Sequence, residues 1–378
     1  MQETSIFIPQ AKIRKNNFTL MCKNEKVLKI SEFNNVAEIF NINLVPFYLR
    51  NKTDKVLITD VINWLNKKVF NMSRSNAKKI ANALNLSQTD STEYWQYSNA
   101  LSLTDCYWIQ FENENKQWKN INLYENDLDK IVAEIALTGN SHLRITSKVN
   151  TPEVLTDGVN PKCWIKRNNK SYLLKGSRNL IVPKVEVEIL VSDILDKLEI
   201  NHIKYNKEDN YSICENMTNL NLSRCAMDEY LTYCSINNIN PQDTLSNYTK
   251  DFANMVIVDY LINNWDRHGA NWGIYYNPNT GKEISLHPLF DHNNSLLIFN
   301  NEFDGEEKSL INPDLTMKQF AQQMKPYSSI NTNNLILWLK EIKTMKRFQD
   351  IFEQKMSYTD NEIVYNSLIH RISEFNKF

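Results

Sequence analysis

Glycine is scarce in this chain, with only seven among 378 residues. Five of them fall between residues 158 and 281: Gly158, Gly176, Gly269, Gly273 and Gly281. Glycine is needed where the backbone turns sharply or lies close to a ligand. The clustering therefore indicates that the functional site lies in this interval.

Long apolar runs, a charge excess and paired cysteines are absent too. No window approaches roughly 18 apolar residues, so no transmembrane helix or membrane partner is predicted, and the N-terminus lacks the design of a secretion signal. Because 43 basic residues nearly balance 44 acidic ones, composition does not support non-specific nucleic-acid binding. The six scattered cysteines are predicted to be buried free thiols. We expect a cytoplasmic protein, while delivery to a host cell stays open.

The first part of the chain has the pattern of a small mixed domain. Residues 18–30 read as two short strands, and the apolar spacing over 55–70 predicts a helix. A second helix is expected after Ser73 or Ser75 as its cap, and a third over 123–137. The lysine pairs at 67–68 and 78–79 are expected on solvated helix faces. Asp105 lies in an aromatic stretch, 101–111, that is predicted to be a packed turn or strand.

The second half of the sequence has a different pattern of predicted strands and helices. Residues 163–177 read as a hairpin, 186–200 as an amphipathic helix and 211–217 as a short apolar strand. A strongly apolar helix is predicted over 248–265, and the chain is mainly helical from about 243. Beyond it, "WGIYY" and "ISLHPLF" flank the turn "NPNTG", which predicts a second hairpin.

The densest group of reactive side chains stands in "NNWDRHGANWG", residues 263–273. Asp266 and Asn271 are separated by the spacing of a kinase catalytic loop, and Asp291 follows beyond the second hairpin. Phosphoryl transfer needs a carboxylate that orients or deprotonates the attacking hydroxyl, and Mg²⁺ needs hard oxygen ligands. Asp266 is therefore the predicted base, and Asn271 and Asp291 the predicted metal ligands. The alternative is a surface turn that caps a helix, with an unrelated Asp291.

Further kinase requirements appear upstream in the expected chain order. A strand lysine holds the nucleotide phosphates, and a helix glutamate orients that lysine. Lys175 ends the apolar strand "SYLLKG", and the next helix offers Glu186 or Glu188. The earlier turn "TDGVNP" presents backbone N–H groups and the Thr156 hydroxyl to a phosphate, or is a plain β-turn.

These motifs together resemble those of the HipA-like serine/threonine kinases, whose active site is distantly similar to that of phosphoinositide 3/4-kinases. "NNWDRHGANWG" resembles their N-x-D-R-H-x-x-N catalytic loop, and "PLFDHNNSL" their metal-binding Phe-Asp segment. "YLLKG" resembles the strand of the ATP lysine, and "EILVSDILDKLEI" the helix that begins with their glutamate, which favours Glu188. The resemblance spans about residues 136–325. The phosphate loop departs from the serine-bearing loop of the best-known toxins, which puts loop autophosphorylation in doubt.

The resemblance implies an ATP- and Mg²⁺-dependent kinase and assigns its site residues. Catalysis falls to Asp266 and His268, where His268 either bonds the backbone or stabilises the transferring phosphoryl group. The implied nucleotide-binding residues are Lys175, Glu188, Thr156, Gly158, Glu215 and Met217, the last two in the segment that meets adenine. Arg267 is expected to pair with a carboxylate, and Trp265 and Trp272 to pack in the core.

The implied fold is α+β and two-lobed, like that of protein kinases, with a β-rich N-lobe and a helical C-lobe. A mixed accessory domain is expected at 1–135, the N-lobe at 136–218 and the C-lobe at 219–378. Family members act on Ser or Thr of proteins, and some are toxins with an antitoxin partner. The alternatives are a lipid or small-molecule kinase, a nucleotide-binding interaction protein without catalysis, and a helix-turn-helix at 55–86 that binds nucleic acid.

Overall fold

A computed structural model describes most of the chain, namely residues 17–31, 34–51, 53, 55–140, 142, 145, 148–180, 182–296, 307–355 and 361–378, with backbone alone at 353–355 and 361–362. The chain divides into two compact units, residues 1–169 and 170–378. The expected domains at 1–135, 136–218 and 219–378 stay a prediction, because the units describe packing and not function.

Unit one holds an antiparallel sheet with the strand order β3–β2–β1–β4. The two strands expected over 18–30 are confirmed as β1 and β2. The core of this unit includes Trp95 and Trp108, which are among the largest fully buried side chains. The strands are β1 (Phe18–Cys22), β2 (Glu25–Ile30), β3 (Glu38–Ile39), β4 (Tyr107–Phe111) and β5 (Lys162–Arg167). The helices are α1 (Ile58–Lys68), α2 (Ala77–Leu84), α3 (Thr92–Tyr97), α4 (Trp118–Ile121) and α5 (Lys130–Thr138).

The three predicted helices of unit one occur as α1, α2 and α5, but α2 and α5 begin later than expected, and α3 and α4 were not predicted. The residue before α2 is Asn76 at φ 64°, not Ser73 or Ser75, because the chain makes a further turn that needs a left-handed residue. α5 begins only after Asp129, whose carboxylate accepts a hydrogen bond from the Val132 N–H at 2.7 Å. An acceptor at the first turn thus marks the helix start more sharply than the apolar pattern does.

One of the four lysines predicted on solvated helix faces, Lys68, is not there. Lys68 Nζ lies 2.8 Å from Asp105 Oδ2, and the two side chains are 10% and 9% exposed. The prediction for Lys68 was wrong, because α1 ends there and the ammonium group meets a carboxylate from a turn 37 residues further on. The six cysteines, by contrast, are all buried and free, as expected.

Unit two contains two small antiparallel arrays of strands and most of the helices. β6, β8 and β7 lie side by side, and β11, β10 and β9 form a three-stranded sheet. The strands are β6 (Lys170–Lys175), β7 (Asn206–Glu208), β8 (Tyr211–Glu215), β9 (Ser223–Ala226), β10 (Gly273–Tyr276) and β11 (Glu283–Leu286). The helices are α6 (Lys184–Lys197), α7 (Met227–Ile236), α8 (Pro241–Leu245), α9 (Thr249–Ile262), α10 (Met317–Met324), α11 (Asn333–Leu339), α12 (Ile342–Lys355) and α13 (Asn361–Lys377).

The site-bearing part of unit two is built on α9 and the β10–β11 hairpin. Residues 253–262 of α9 are all buried, which explains why the helix is apolar on every side. The predicted second hairpin is confirmed, with Ile274 opposite Leu286. β9, which the sequence did not suggest, pairs with the other edge of β10. Among the described residues, no helix has the length and apolar character needed to cross a membrane.

Close pairing of β9 and β10 requires glycine at position 273. A Cβ atom there would lie 2.1 Å from the Cys225 carbonyl oxygen and 3.0 Å from the Met227 nitrogen, both backbone atoms that cannot rotate away. We expect Gly273→Ala to lower the free energy of unfolding by about 2 kcal/mol or more. Urea unfolding followed by tryptophan fluorescence measures this loss.

The matched control is Ile284→Thr on β11, because Ile284 is 48% exposed and threonine keeps the β-branched shape. It should change stability by no more than about 0.5 kcal/mol. Equal stability of Gly273→Ala and the unmodified chain would contradict the close approach of the two strands.

Candidate active site

The predicted catalytic loop begins where α9 ends. Asn263 leaves the helix at φ 51°, a left-handed conformation that asparagine tolerates. The Asn264 backbone N–H donates to the Asp259 carbonyl oxygen at 2.9 Å, and its side-chain Nδ2 donates to Asp259 Oδ1 at 2.8 Å. The loop therefore starts from a fixed point on a buried helix.

Arg267 joins this helix end to two other backbone segments. Its Nε and Nη2 bind the carboxylate of Asp259 at 3.0 Å each. Its Nη1 donates to the carbonyl oxygens of Asn271, at 2.8 Å, and of Phe290, at 3.1 Å. Because the guanidinium is planar and buried, it holds the catalytic loop and the segment before Asp291 in one geometry. Asp259 is the carboxylate partner that was expected for Arg267.

Asp266 points into a polar cluster. Its side chain is 29% exposed, and Oδ2 accepts a hydrogen bond from Asn294 Nδ2 at 2.5 Å. The Asp266 carbonyl oxygen accepts from Asn271 Nδ2 at 2.9 Å, which fixes the relation between the predicted base and the predicted metal ligand. A carboxylate that is oriented but still reachable by solvent meets the requirement for a base that receives a substrate proton.

Lys175 is the centre of a buried charge cluster. Its Nζ lies 2.5 Å from Glu188 Oε1 and 2.8 Å from Asp291 Oδ1. Glu188 is held in turn by the Ser212 hydroxyl, which donates to Oε2 at 2.8 Å. Burial alone would lower the pKa of Lys175, but the charges of Asp291 and Glu188 outweigh it and raise that pKa well above its usual value. The cluster therefore keeps a permanent positive charge at the end of β6.

The backbone at Asp291 is in an uncommon conformation. Its φ of 58° lies in the left-handed region, which costs a non-glycine residue on the order of 1 kcal/mol. Surrounding contacts maintain it: the Asp291 N–H donates to the Tyr205 hydroxyl at 3.4 Å, and Asn293 Nδ2 donates to Asp291 Oδ1 at 2.7 Å. Such strain recurs at functional sites, where it directs a side chain toward a ligand.

The donors at Asn271 and Asp291 fit a magnesium ion. The Asn271 side chain donates through Nδ2, so its Oδ1 atom remains available as an acceptor. This Oδ1 atom accepts no hydrogen bond from the described residues. Asp291 adds a carboxylate that is a quarter exposed. Mg²⁺ in kinases takes few protein oxygens and completes its shell with phosphate oxygens and water. No group of three or more His, Cys, Asp or Glu suited to a metal occurs among the described residues, and Mg²⁺ binding stays a prediction.

Two polar residues of the cluster were missed from the sequence. Lys184, the first residue of α6, donates from Nζ to Asn294 Oδ1 at 2.8 Å, and Asn294 donates to Asp266. Burial lowers the pKa of Lys184, while the charges of Asp266 and Asp291 oppose this effect. A second ammonium group thus lies beside the predicted base. The sequence signals were slight: a lysine after a proline and an asparagine three residues after Asp291.

His268 lies beside Asp266 but not in hydrogen-bond contact with it. Its Nε2 is 3.9 Å from Asp266 Oδ1, and its Nδ1 accepts from the Ala270 N–H at 3.3 Å. Half of the imidazole is exposed. Of the two roles expected for His268, the backbone bond is present, and contact with a phosphoryl group stays a prediction.

The predicted adenine segment follows β8. Glu215 ends that strand opposite Tyr172, and its exposed carboxylate pairs with Lys170 at 2.9 Å. The Met217 carbonyl oxygen accepts a hydrogen bond from the Tyr275 hydroxyl at 2.7 Å. Glu215 thus lies on the strand that pairs with β6, and Met217 contacts β10, while their role in nucleotide binding stays a prediction.

The predicted phosphate loop lies in unit one. The Thr156 hydroxyl donates to the Pro152 carbonyl oxygen at 2.8 Å and accepts from Trp164 Nε1 at 3.0 Å. Gly158 has φ 101°, and a Cβ there would lie 2.1 Å from Lys162 Nζ. Glycine is therefore required at 158, and the Thr156 hydroxyl stabilises the loop itself. Their contact with phosphate stays a prediction.

Comparison with known proteins identifies the family. The family model for phosphatidylinositol 3- and 4-kinase matches residues 165–357, slightly more than half of the chain. The chain belongs to the phosphatidylinositol 3- and 4-kinase family. It therefore has the phosphotransferase fold of kinases, as the sequence had predicted. No curated protein matches the chain by sequence.

Two solved structures resemble this kinase-family chain. One is HipA of Shewanella oneidensis, in complex with HipB and operator DNA, with 11% identity, a TM-score of 0.53, and coverage of 96% of this chain and 97% of that one. The other is the Helicobacter pylori proinflammatory kinase CtkA, with 14% identity, a TM-score of 0.34, and coverage of 57% and 89%. The likeness to HipA agrees with the expected HipA-like fold.

The two tryptophans of the kinase motif differ in environment. Trp272 is buried against Phe252, with ring centroids 5.6 Å apart, as expected. Trp265 is 45% exposed, so its expected core position was wrong. The Asp266 N–H donates to Asn264 Oδ1 at 3.2 Å, and this tight turn leaves Trp265 on its outer side.

The bonds of Arg267 predict that lysine cannot replace it. One ammonium group cannot bind the Asp259 carboxylate and both carbonyl oxygens together, so buried acceptors lose their donors. Arg267→Lys should lower the free energy of unfolding by about 3 kcal/mol. Chemical denaturation followed by circular dichroism measures the loss.

Arg347→Lys is the matched control, because Arg347 pairs with Asp193 where both side chains are more than a third exposed. That exchange should cost no more than about 0.5 kcal/mol. Similar losses in the two variants would refute the role given to Arg267.

Proposed function

We propose that the chain transfers the γ-phosphate of ATP, with Mg²⁺, to a Ser or Thr hydroxyl of a protein. The observation that carries the proposal is the joining of Lys175 to Glu188 on α6 and to Asp291 beside the catalytic loop. A kinase needs this lysine–glutamate pair together with the metal-binding aspartate. The cluster supports the proposal because burying the Lys175 and Glu188 charges costs hydration free energy, and kinases use such a pair to hold ATP phosphates.

Each residue near the loop has a proposed part in the reaction. The hydroxyl oxygen of the substrate attacks the γ-phosphorus, the bond from the γ-phosphorus to the β–γ bridging oxygen breaks, and ADP leaves. Asp266 orients the hydroxyl and receives its proton. Lys184, held beside Asp266 through Asn294, is positioned to balance the charge of the phosphoryl oxygens.

Nucleotide and metal would be held by the remaining predicted residues. Lys175 contacts ATP phosphates once the nucleotide competes with its carboxylate partners. Asn271 and Asp291 would bind Mg²⁺, which neutralises phosphate charge. The backbone near Glu215 and Met217 would meet adenine, and the backbone N–H groups near Thr156 and Gly158 are of a kind that binds phosphate.

A protein substrate is favoured over a lipid by the extent of the fold. The likeness to HipA covers both units, whereas the family model begins only at residue 165. That HipA is part of a toxin–antitoxin system with HipB, so an antitoxin partner is proposed for this chain as well. The second candidate is a lipid kinase, which the description of the matching family favours.

Phosphate transfer from γ-labelled ATP tests the proposal. Asp266→Asn should lower the transfer rate by about a thousandfold or more, because the amide cannot accept the proton, and should still bind Mg-ATP. Asp193→Asn is the matched control on the exposed face of α6 and should keep full activity. Mg-ATP binding without any transfer to protein or lipid would favour the interaction protein, and transfer by Asp266→Asn at the control rate would refute the assigned base.

Two acceptor mixtures separate the candidate substrates. One contains the proteins of a cell lysate, and the other contains vesicles of phosphatidylcholine with phosphatidylinositol. Label in protein, as phosphoserine or phosphothreonine, with unlabelled vesicles supports the proposal. Label in the lipid alone would establish the second candidate.

A further inference from the structure

The connection between α6 and β7, residues 198–205, runs beside the segment that leads to Asp291. The N–H of Ile203 donates to the Leu289 carbonyl oxygen at 2.8 Å, and the N–H of Leu289 donates to the Asn201 carbonyl oxygen at 3.2 Å. The two segments are therefore paired in parallel just before the predicted metal ligand. A displacement of the connection would break backbone bonds next to Asp291.

Tyr205, the last residue of this connection, contacts two members of the charge cluster. Its side chain is buried, and its hydroxyl accepts a hydrogen bond from the Asp291 N–H at 3.4 Å. The ammonium group of Lys175 lies over the ring, with Nζ 5.1 Å from the ring centroid, which is the geometry of a cation–π contact. One side chain thus supports the predicted nucleotide lysine through its ring and the predicted metal ligand through its hydroxyl.

Ser192 attaches Tyr205 to α6. The Tyr205 N–H donates to Ser192 Oγ at 3.1 Å, and the same oxygen lies 3.0 Å from His202 Nε2. His202 Nδ1 lies 2.8 Å from the Ile200 carbonyl oxygen, which can only accept, so Nδ1 carries a proton. In the neutral ring, Nε2 is then the acceptor for the Ser192 hydroxyl. Ser192 therefore accepts one bond and donates the other, which fixes the connection to the helix.

One face of α6 supports both ends of the charge cluster. Glu188 and Ser192 are four residues apart, so they lie on the same face of the helix. Glu188 binds Lys175 directly, and Ser192 reaches Asp291 through Tyr205. The position of α6 is therefore transmitted to the lysine and to the aspartate together.

The backbone of Asp291 depends on such support. Its φ of 58° is unfavourable for a residue with a side chain, and this conformation persists only where neighbouring groups hold it. Removal of a group that orients a metal ligand typically weakens metal binding by roughly 10–100-fold. Tyr205 is a group of this kind, because its hydroxyl holds the backbone of Asp291 and leaves the carboxylate to other partners.

We propose that Tyr205 is a positioning residue for metal binding: its hydroxyl presets Asp291 for Mg²⁺ and its ring holds Lys175 for the nucleotide, so that both depend on the position of α6. The proposal rests on the proposed function, because Asp291 is a metal ligand only if the chain binds Mg-ATP. Tyr205 acts through these two residues and not by direct contact with metal or phosphate.

The test compares four variants of the full chain. Tyr205→Phe removes the hydroxyl and keeps the ring, Tyr205→Leu removes both, and Ser192→Ala breaks the bond to α6. Tyr230→Phe is the matched control, because Tyr230 is similarly buried. Its hydroxyl bonds Thr244 Oγ1 at 3.1 Å and Glu283 Oε1 at 2.8 Å.

Three measurements separate the two contacts of Tyr205. Mn²⁺, a paramagnetic substitute for Mg²⁺, is titrated in the presence of a non-hydrolysable ATP analogue and followed by electron paramagnetic resonance. Calorimetry gives the affinity for the analogue without metal. Amide hydrogen exchange of residues 287–293 is measured in the free chain, and thermal unfolding checks that each variant is folded.

Tyr205→Phe should weaken Mn²⁺ affinity about tenfold and quicken exchange across 287–293. Its metal-free affinity for the analogue should change by less than about twofold, because the ring still lies against Lys175. Tyr205→Leu should weaken both affinities. Ser192→Ala should weaken Mn²⁺ affinity by only about threefold, because the connection keeps its backbone bonds to Leu289. Tyr230→Phe should leave both affinities and the exchange unchanged.

Other outcomes overturn the inference. Unchanged Mn²⁺ affinity in a folded Tyr205→Phe variant, or an equal loss in Tyr230→Phe, would show that Tyr205 only fills the core. Failure of the unmodified chain to bind the analogue with metal would refute the proposed function and the metal role of Tyr205 with it. In that case hydrogen exchange in the free chain still decides separately whether Tyr205 orders the segment before Asp291.

Discussion

The ammonium group of Lys175 is the interaction on which the site of unit two depends. It ends β6, and it binds one carboxylate from α6 and one from the segment after the β10–β11 hairpin. A strand, the helix that follows it and a segment 116 residues further along the chain therefore meet at one charge. Because all three groups are buried or partly buried, removing any one of them leaves another charge without its partner. Such an unpaired charge lowers the stability of the fold. The strained backbone at Asp291 is maintained by bonds to Tyr205 and Asn293 beside this charge.

Arg267 holds the predicted catalytic loop in a similar way, by bonding several segments at once. It connects α9 with the carbonyl oxygens of Asn271 and Phe290, so that the predicted base, the amide of Asn271 and the predicted metal ligand Asp291 are held by one side chain. Asp266 itself is left partly exposed, with an orienting bond from Asn294. The arrangement would meet two needs of a kinase site: buried ions hold the loop in place, and the predicted base remains accessible to a substrate.

Much of this could be predicted from the sequence, where the relevant residues are neighbours or follow a regular period. The helix α9, the β10–β11 hairpin and the loop from Asp266 to Asn271 are local patterns, and the kinase-like fold was implied by the family that their motifs resemble. Contacts between distant residues carry no such signal: Tyr205 and Asp291 are 86 residues apart. β9 is short and polar, and Lys184 looked like an ordinary residue at a helix start. The exposed position of Trp265 depended on one tight turn that a pattern of apolar residues does not encode.

The most direct test of the central claim is a calorimetric titration of the chain with a non-hydrolysable ATP analogue, with and without Mg²⁺. The cluster around Lys175 and Asp291 predicts clear binding that strengthens at least about tenfold with the metal, since the ion would neutralise Asp291 against the phosphates. Binding should weaken when Lys175 is replaced by methionine. Absence of binding, or equal affinity with and without Mg²⁺, would contradict the account.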